Sequence, residues 1–108
     1  MDLKRKVKYL VRRILSMPFY SRVTAGKNVV FYGGVKIYNL QNNKQKIRIG
    51  EKTQVYGELH LFSYGGEIVI GDRCFIGENT KIWSGNKIII GNDVLISHNV
   101  NIVDTNSH

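Results

Sequence analysis

A six-residue pattern repeats along most of this 108-residue chain. It consists of a bulky aliphatic residue, glycine, two polar residues, a small residue and one free position, as in Ile70-Gly71-Asp72-Arg73-Cys74-Phe75. Further matches begin at Ile49, Ile76 and Ile90, a match with serine in place of glycine begins at Ile96, and a weaker match begins at Ala25. Two pairs of matches run back to back, at 70/76 and 90/96. Such a repeat constrains the whole architecture, because each unit must stack on its neighbour to bury its hydrophobic face.

A longer period is superimposed on the short one. The matches at Ala25, Ile49, Ile70 and Ile90 are 24, 21 and 20 residues apart, or three six-residue faces plus a short insertion. Three faces per turn predict a triangular coil with the aliphatic first position inside. The small fifth position should also point inward; its residues are Thr53, Cys74, Thr80, Val94 and Val100. Glycine at the second position is expected to supply corner backbone angles that other residues reach only with strain.

Stacked coils of this kind pair their strands in parallel and bury one continuous core, and at least three coils are needed for stability. This sequence supplies about four coils. Polar segments interrupt the pattern at residues 39–45, 63–66 and 84–86, and they are predicted to be loops or turns at the corners of the coil.

The N-terminal segment follows a helical period instead. Aliphatic residues recur at helical spacing, at Leu3, Val7, Leu10, Val11, Ile14 and Leu15. Asp2 favours the helix N-terminus, and Pro18 is predicted to end the helix near Ser16 or Met17. The chain therefore divides into a basic amphipathic helix, residues 1–18, and a repeat region, residues 19–108.

Positive charge is concentrated in that helix. Residues 1–13 contain six Lys/Arg against Asp2, or +5 of the total +8, so no broad nucleic-acid-binding face is expected. Two interpretations of the helix remain open. Its apolar stripe covers the open end of the first coil, or residues 3–17 form a peripheral membrane helix attracted to anionic lipid. No apolar run reaches the roughly 20 residues of a membrane-spanning helix, and one cysteine excludes an internal disulfide.

The end of the chain carries a more specific pattern. Ile90-Gly91-Asn92-Asp93-Val94-Leu95-Ile96 is followed by Asp104-Thr105-Asn106-Ser107-His108. With the repeat, this arrangement resembles the hexapeptide-repeat acyltransferases, particularly the sugar and polysaccharide O-acetyltransferases such as the galactoside, maltose and virginiamycin acetyltransferases. The resemblance covers about residues 25–108. It implies an all-β fold, a left-handed parallel β-helix of about four coils, here preceded by the amphipathic α-helix.

The resemblance also implies a chemistry. His108 matches the family's general base, which accepts the proton of a sugar hydroxyl as that hydroxyl attacks the thioester of acetyl-CoA. Asn79 and Trp83, on the preceding coil, are candidates for binding the acceptor sugar. The family further implies a homotrimer with active sites between subunits, no metal, and a cytoplasmic location, at the inner face of the membrane if residues 3–17 bind lipid.

Family members continue past this histidine with coils that carry much of the acyl-CoA groove. The chain is therefore expected to be the N-terminal part of such an enzyme, with cofactor-binding residues in the missing C-terminal coils. Alone it is expected to be inactive and, through an unpaired strand edge, self-associating. The coding sequence downstream of His108 would test this expectation.

Other functions stay open. One is a non-catalytic β-helical interaction or membrane-peripheral module, and another is a different β-helix enzyme such as an N-acyltransferase or a serine acetyltransferase. The zinc-dependent carbonic anhydrases share the fold but use two histidines five residues apart, whereas His98 and His108 are ten apart. His60 and His98 are predicted to be plain surface residues, and no metal is expected.

Overall fold

A computed structural model describes residues 2–105, without the side chains of residues 13, 15 and 16. One α-helix, α1 (Leu3–Tyr20), precedes a stack of four coils, each with three short strands. The first coil contains β1 (Thr24–Ala25), β2 (Val30–Phe31) and β3 (Lys36–Asn39), and the second β4 (Ile47–Ile49), β5 (Gln54–Val55) and β6 (Glu58–Leu61). The third contains β7 (Ile68–Ile70), β8 (Phe75–Ile76) and β9 (Lys81–Ser84), and the fourth β10 (Ile88–Ile90), β11 (Leu95–Ile96) and β12 (Asn101–Val103).

The strands form three parallel sheets, one for each face of the coil. Their orders are β1-β4-β7-β10, β2-β5-β8-β11 and β3-β6-β9-β12. In the first sheet Ala25 pairs with Ile49, Ile49 with Ile70, and Ile70 with Ile90. The structure thus confirms the spacing of the long repeat and the predicted fold, a parallel β-helix of the left-handed type preceded by a helix.

The segments predicted as corners connect these strands, with small differences at their ends. Asn39 and Ser84 are the last residues of β3 and β9, and a 3₁₀ turn, Lys44–Lys46, overlaps the end of the first of these segments. Both residues are held by β6 of the second coil, because Asn39 pairs with Leu61 from one side and Ser84 pairs with Leu61 from the other. Pairing between coils therefore extends the strands beyond the point at which the local sequence becomes polar.

The core runs along the inside of the stack, as the repeat predicts. Ile49, Ile70 and Ile76, at first positions of the repeat, are at most 3% exposed. The fifth-position residues Thr53, Cys74 and Thr80 are buried too, whereas Val94 and Val100 in the fourth coil are half-buried. Within the described part of the chain no coil stacks on the fourth one, so its interior is less covered.

The buried fifth-position side chains also join successive coils. The Thr53 hydroxyl donates a hydrogen bond to the Gly71 carbonyl at 2.8 Å, and the Cys74 thiol donates one to the Gly91 carbonyl oxygen at 3.0 Å. The Thr80 hydroxyl donates to the Ser97 carbonyl in the same way. Each small polar side chain is therefore buried with a partner, as buried polar groups require.

The expectation for glycine at the second position is wrong. The residue with a left-handed backbone is the fourth one of each repeat, for example Lys52 (φ 62°) and Arg73 (φ 55°). The glycines instead allow successive coils to approach each other. A Cβ atom on Gly71 would lie 2.7 Å from the carbonyl carbon and oxygen of Gly91 in the next coil, which is closer than real Cβ contacts allow. Glycine is thus needed for space, not for a special φ.

Helix α1 begins as expected but ends later. The Asp2 carboxylate caps it by accepting the Arg5 N–H at 2.9 Å. The predicted end near Ser16 or Met17 is wrong, because α1 continues through Pro18 to Tyr20. Packing explains the extension: the rings of Phe19 and Tyr20 lie 5.5 Å from that of Phe31, a buried residue of the first coil. The Tyr20 hydroxyl also donates to the Val29 carbonyl at 2.6 Å.

The same contacts correct the interpretation in which the apolar stripe of the helix covers the first coil. Phe19 and Tyr20, from the last turn, cover the open end of the β-helix, and the helix lies against β2, where Val30 is buried. Leu3, Leu10 and Ile14 from the stripe remain 57–76% exposed. The helix is therefore attached to the β-helix by a face that the aliphatic pattern does not indicate.

Candidate functional site

The outer face of the β3-β6-β9-β12 sheet carries a row of large side chains. Tyr38, His60, Trp83 and Val103 are in register on four successive strands. The ring centroids of Tyr38 and His60 are 5.5 Å apart, and those of His60 and Trp83 are 5.3 Å apart. Parallel pairing brings identical positions of successive coils together, so the aromatic residues at this position in the first three coils form a continuous aromatic surface, which Val103 extends.

Trp83, one of the two predicted acceptor-binding residues, has a fixed orientation in this row. Its indole N–H donates to the Glu58 carboxylate at 2.6 Å. The Lys81 ammonium lies 5.7 Å from the centroid of its ring. The side chain is half-buried, so part of the ring remains available to a ligand. An indole held on one side by a carboxylate and a cation presents a defined apolar surface.

Asn79, the other predicted acceptor-binding residue, lies at the corner before β9. Its backbone is left-handed (φ 58°) and its side chain is exposed. It lines a groove of about 260 Å³ together with Lys36, Tyr56 and Glu58. Glu58 therefore connects the two predicted residues, because it lines the groove of Asn79 and binds the indole of Trp83. The structure brings them to one region of the surface, with Glu58 between them.

The segment that leads toward His108 is anchored by Asp104. One carboxylate oxygen of Asp104 accepts the Gly85 N–H at 2.7 Å and the Asn86 N–H at 3.3 Å. The other accepts the Ser84 hydroxyl at 2.9 Å. Ser84 is the last residue of β9 in the preceding coil, and Gly85 and Asn86 belong to the turn that follows it. A carboxylate with several N–H and O–H donors is held in one orientation.

These hydrogen bonds also set the ionisation of Asp104. Burial opposes the charged form and would raise its pKa, but the bonds from the Gly85 N–H, the Ser84 hydroxyl and the Asn86 N–H together outweigh burial. The pKa of the Asp104 carboxyl therefore lies below its ordinary value, and the group is a carboxylate at neutral pH.

Thr105 continues the attachment. Its hydroxyl lies 2.8 Å from the Tyr64 hydroxyl, with which it shares a hydrogen bond. A Cβ atom on Gly85 would lie 3.0 Å from the Thr105 Cβ, so the turn after β9 and this segment are in close contact. His108 itself lies outside the described residues, and its role stays a prediction. Sequence reasoning assigned no function to Asp104 or Thr105; the signal was a polar pair placed directly after the last strand.

The other histidines differ from each other. His60 was predicted to be a plain surface residue, but it is half-buried between aromatic rings, with Phe62 4.7 Å away in addition to Tyr38 and Trp83. His98 is exposed, as predicted, and its Nδ1 lies 3.2 Å from the Ser97 hydroxyl. Among residues 2–105 no three His, Cys, Asp or Glu side chains are grouped in a way that could hold a metal ion.

A second groove, of about 380 Å³, lies on the neighbouring face near His98. Its lining combines the apolar side chains of Phe75 and Leu95 with polar groups of Glu78 and Ser97, so it is of mixed polarity. Tyr56 takes part in another aromatic row, stacked on Tyr32 with centroids 4.2 Å apart. Burial raises the pKa of the Tyr56 hydroxyl, and the neighbouring Tyr32 raises it further. Tyr56 is therefore an uncharged hydrogen-bonding group at neutral pH.

In the described part of the chain, no helix combines the length and apolar character needed to cross a membrane.

Comparison of the chain with known protein families, with curated protein sequences and with solved structures finds no match.

Proposed function

We propose that this chain contains the N-terminal coils of an acyltransferase that transfers an acetyl group from acetyl-CoA to a sugar or polysaccharide hydroxyl. The observation that carries the proposal is the anchored segment directly before His108. The coil Ile90–Ile96 and the segment Asp104–His108 follow the order typical of such enzymes. The four hydrogen-bonding groups around Asp104 and Thr105 support it, because a general base must be held in a defined position.

In the proposed reaction His108 is the general base. Its neutral imidazole accepts the proton of the acceptor hydroxyl while that oxygen forms a bond to the thioester carbonyl carbon. The tetrahedral intermediate then expels the thiolate of coenzyme A, which takes the proton from the imidazolium. An imidazole suits both steps because its pKa is close to neutrality. Asp104 would be a positioning residue, since it restrains the backbone that leads to His108.

On the acceptor side we propose roles for Trp83 and Asn79. The exposed part of the Trp83 indole offers an apolar surface for the C–H face of a sugar ring. Asn79 and Glu58, in the adjacent groove, offer an amide and a carboxylate that can hydrogen-bond sugar hydroxyls. This combination of one aromatic surface and a few polar groups is typical of small-molecule sites.

The proposal includes further features of the complete enzyme. Acetyl-CoA is a cytoplasmic metabolite, so we propose that the reaction takes place in the cytoplasm without a metal. We also propose a homotrimer with active sites between subunits and residues for coenzyme A in additional coils. The apolar outward residues Ile89 (66% exposed) and Leu95 (74% exposed) support an interface between subunits on the fourth coil.

The test measures acetyl transfer from labelled acetyl-CoA to a panel of sugars by the complete gene product that contains residues 1–108. We expect His108→Asn to lower kcat by about a hundredfold or more while the KM for acetyl-CoA stays unchanged. His98→Asn is the matched control, because it removes an exposed imidazole from the fourth coil, and it should leave kcat unchanged. Full activity in His108→Asn would contradict the assigned base. No transfer to any acceptor would favour a non-catalytic β-helical module instead.

Acceptor binding is tested separately. Trp83→Ala should raise the KM for the sugar several-fold and leave the KM for acetyl-CoA unchanged, whereas Trp83→Phe should restore most of the affinity. An equal rise of both KM values in Trp83→Ala would indicate a structural role only.

A further inference from the structure

Helix α1 presents a stripe of large apolar side chains to solvent, and two of them, Val7 and Val11, also line the groove that the helix forms with Val30 and Tyr32. The stripe runs along the whole helix and consists of Leu3, Val7, Leu10, Val11, Ile14 and Met17, each at least 49% exposed. Isolated apolar residues on a surface are common, but a continuous row at helical spacing indicates an interaction site.

The way in which α1 is attached keeps this stripe in solvent. Its contacts with the β-helix are made by the other side of the helix. There the Tyr9 hydroxyl donates to the Asn28 side chain at 2.7 Å, and the Arg12 guanidinium lies 5.0 Å from the centroid of the Tyr32 ring. Phe19 and Tyr20 hold the C-terminal end on Phe31. The stripe can therefore be occupied without detaching the helix from the first coil.

The charged residues beside the stripe indicate which kind of partner it binds. The sequence of α1 contains no acidic residue, and residues 1–13 carry a net charge of +5. With 3.6 residues per turn, Lys4 and Lys8 follow one edge of the stripe and Lys6 the other. All three are exposed. A second copy of this chain would bring two strongly cationic helices within a Debye length of each other, which is unfavourable.

An apolar row bordered by cations along one side of a helix fits the surface of an anionic bilayer. Aliphatic side chains enter the boundary between headgroups and acyl chains, while lysines extend toward lipid phosphates. We propose that α1 is a membrane-peripheral helix that binds anionic lipid through this stripe and holds the β-helix at the membrane surface. If acetyl transfer is also correct, the lipid is that of the cytoplasmic leaflet; the lipid binding itself stands independently of that function.

The experiment is flotation of the protein with vesicles of phosphatidylcholine alone or with added phosphatidylglycerol, at low and high salt. We expect binding to the anionic vesicles that decreases with salt. Leu10→Glu/Ile14→Glu should weaken it by about tenfold or more. The matched control, Leu40→Glu/Gln54→Glu, introduces the same charge at exposed positions of the β-helix and should keep binding. Lys4→Gln/Lys6→Gln/Lys8→Gln should lower binding to anionic vesicles by about tenfold or more.

A loss of vesicle binding can be distinguished from a loss of folding. Trp83 is the only tryptophan, lies in the third coil and reports on the β-helix by its fluorescence. Folded variants of the stripe that bind as strongly as the unchanged protein would overturn the proposal, as would equal binding to neutral vesicles. A loss of self-association in light scattering, with vesicle binding unchanged, would assign the stripe to a second copy and would also overturn it.

Discussion

Helix α1 and the β-helix both carry regularly spaced aliphatic residues, yet only the β-helix buries them. Leu59 in the second coil is 0% exposed, whereas Leu10 in α1 is 57% exposed. The difference lies in what each segment has as a neighbour. Every coil stacks on another coil with the same pattern, whereas α1 has no second helix among residues 2–105. Periodicity thus predicts the type of secondary structure, and burial depends on whether a complementary element is present.

The largest expected effect follows from this contrast. Leu59→Ala should lower the free energy of unfolding by about 3 kcal/mol, because it removes a fully buried side chain and leaves a cavity. Leu10→Ala should change it by less than about 0.5 kcal/mol. Urea denaturation followed by Trp83 fluorescence measures both. Comparable losses in the two variants would mean that the stripe of α1 is packed against protein, contrary to its exposure.

A smaller loss of stability is expected for a glycine at a contact between two coils than for a buried leucine, and it should differ between the third and the fourth coil. Gly71→Ala should cost about 2 kcal/mol, because its Cβ would lie 2.7 Å from Gly91 atoms and the coils would have to separate. Gly91→Ala, with no atom within 4 Å of the added Cβ, should be neutral or stabilising by up to about 1 kcal/mol. Neither glycine has a positive φ, so backbone strain does not contribute to the difference in stability between the two variants. Thermal unfolding of the two variants measures this difference in stability. Equal unfolding midpoints would contradict the role of close contact between the coils.

The next effect concerns the anchored segment before His108. Asp104→Asn should cost about 1 kcal/mol at neutral pH, because the amide accepts fewer of the hydrogen bonds from the turn after β9. The folded-state pKa of Asp104 is lowered, so its stabilisation is present above the unfolded pKa of about 4 and is lost as the pH falls through the folded pKa. Asp104→Asn should not show this loss of stability at acidic pH, because it has no carboxylate to protonate. A stability profile against pH, identical in both proteins, would contradict the assignment.

The smallest effect is expected at the surface. Arg73 and Asp93 form a two-point ion pair at 2.7 and 3.0 Å between the third and fourth coils. The hydrogen bond from Arg73 lowers the pKa of Asp93. Both side chains are exposed, so water and salt screen the pair. Arg73→Gln should therefore leave the unfolding midpoint unchanged at physiological salt. A clearly lower unfolding midpoint for Arg73→Gln, also at high salt, would show that surface ion pairs between coils contribute as much stability as buried contacts do.

Much of the β-helix was predictable because its signals are local and repeated. The positions Ala25, Ile49, Ile70 and Ile90 were aligned from spacing alone, and the strands pair in that register. Inward placement of Thr53, Cys74 and Thr80 also followed from the repeat. At the candidate site, Trp83 and Asn79 were selected by their place on the coil before His108. Their connection through Glu58 depends on side-chain contacts between coils that no single repeat contains.

Other features required neighbours that the sequence does not indicate. The turn geometry at Lys52 and Arg73 was assigned to glycine, because glycine is the usual residue at a positive φ. The end of α1 was placed before Pro18, because proline normally stops a helix, yet Phe19 and Tyr20 gain contacts with Phe31 that outweigh that local preference.

The sequence by itself determined the coil, its period and its inward residues, because six-residue spacing of aliphatic and small side chains is compatible with one stacked arrangement of parallel strands. Only the tertiary structure decided where the coils approach too closely for a side chain, how the end of β9 and its turn bind the Asp104 carboxylate, and which side of α1 stays in solvent. The physical reason is that these features arise from contacts between residues about twenty positions apart or more, such as Gly71 with Gly91 and Tyr9 with Asn28.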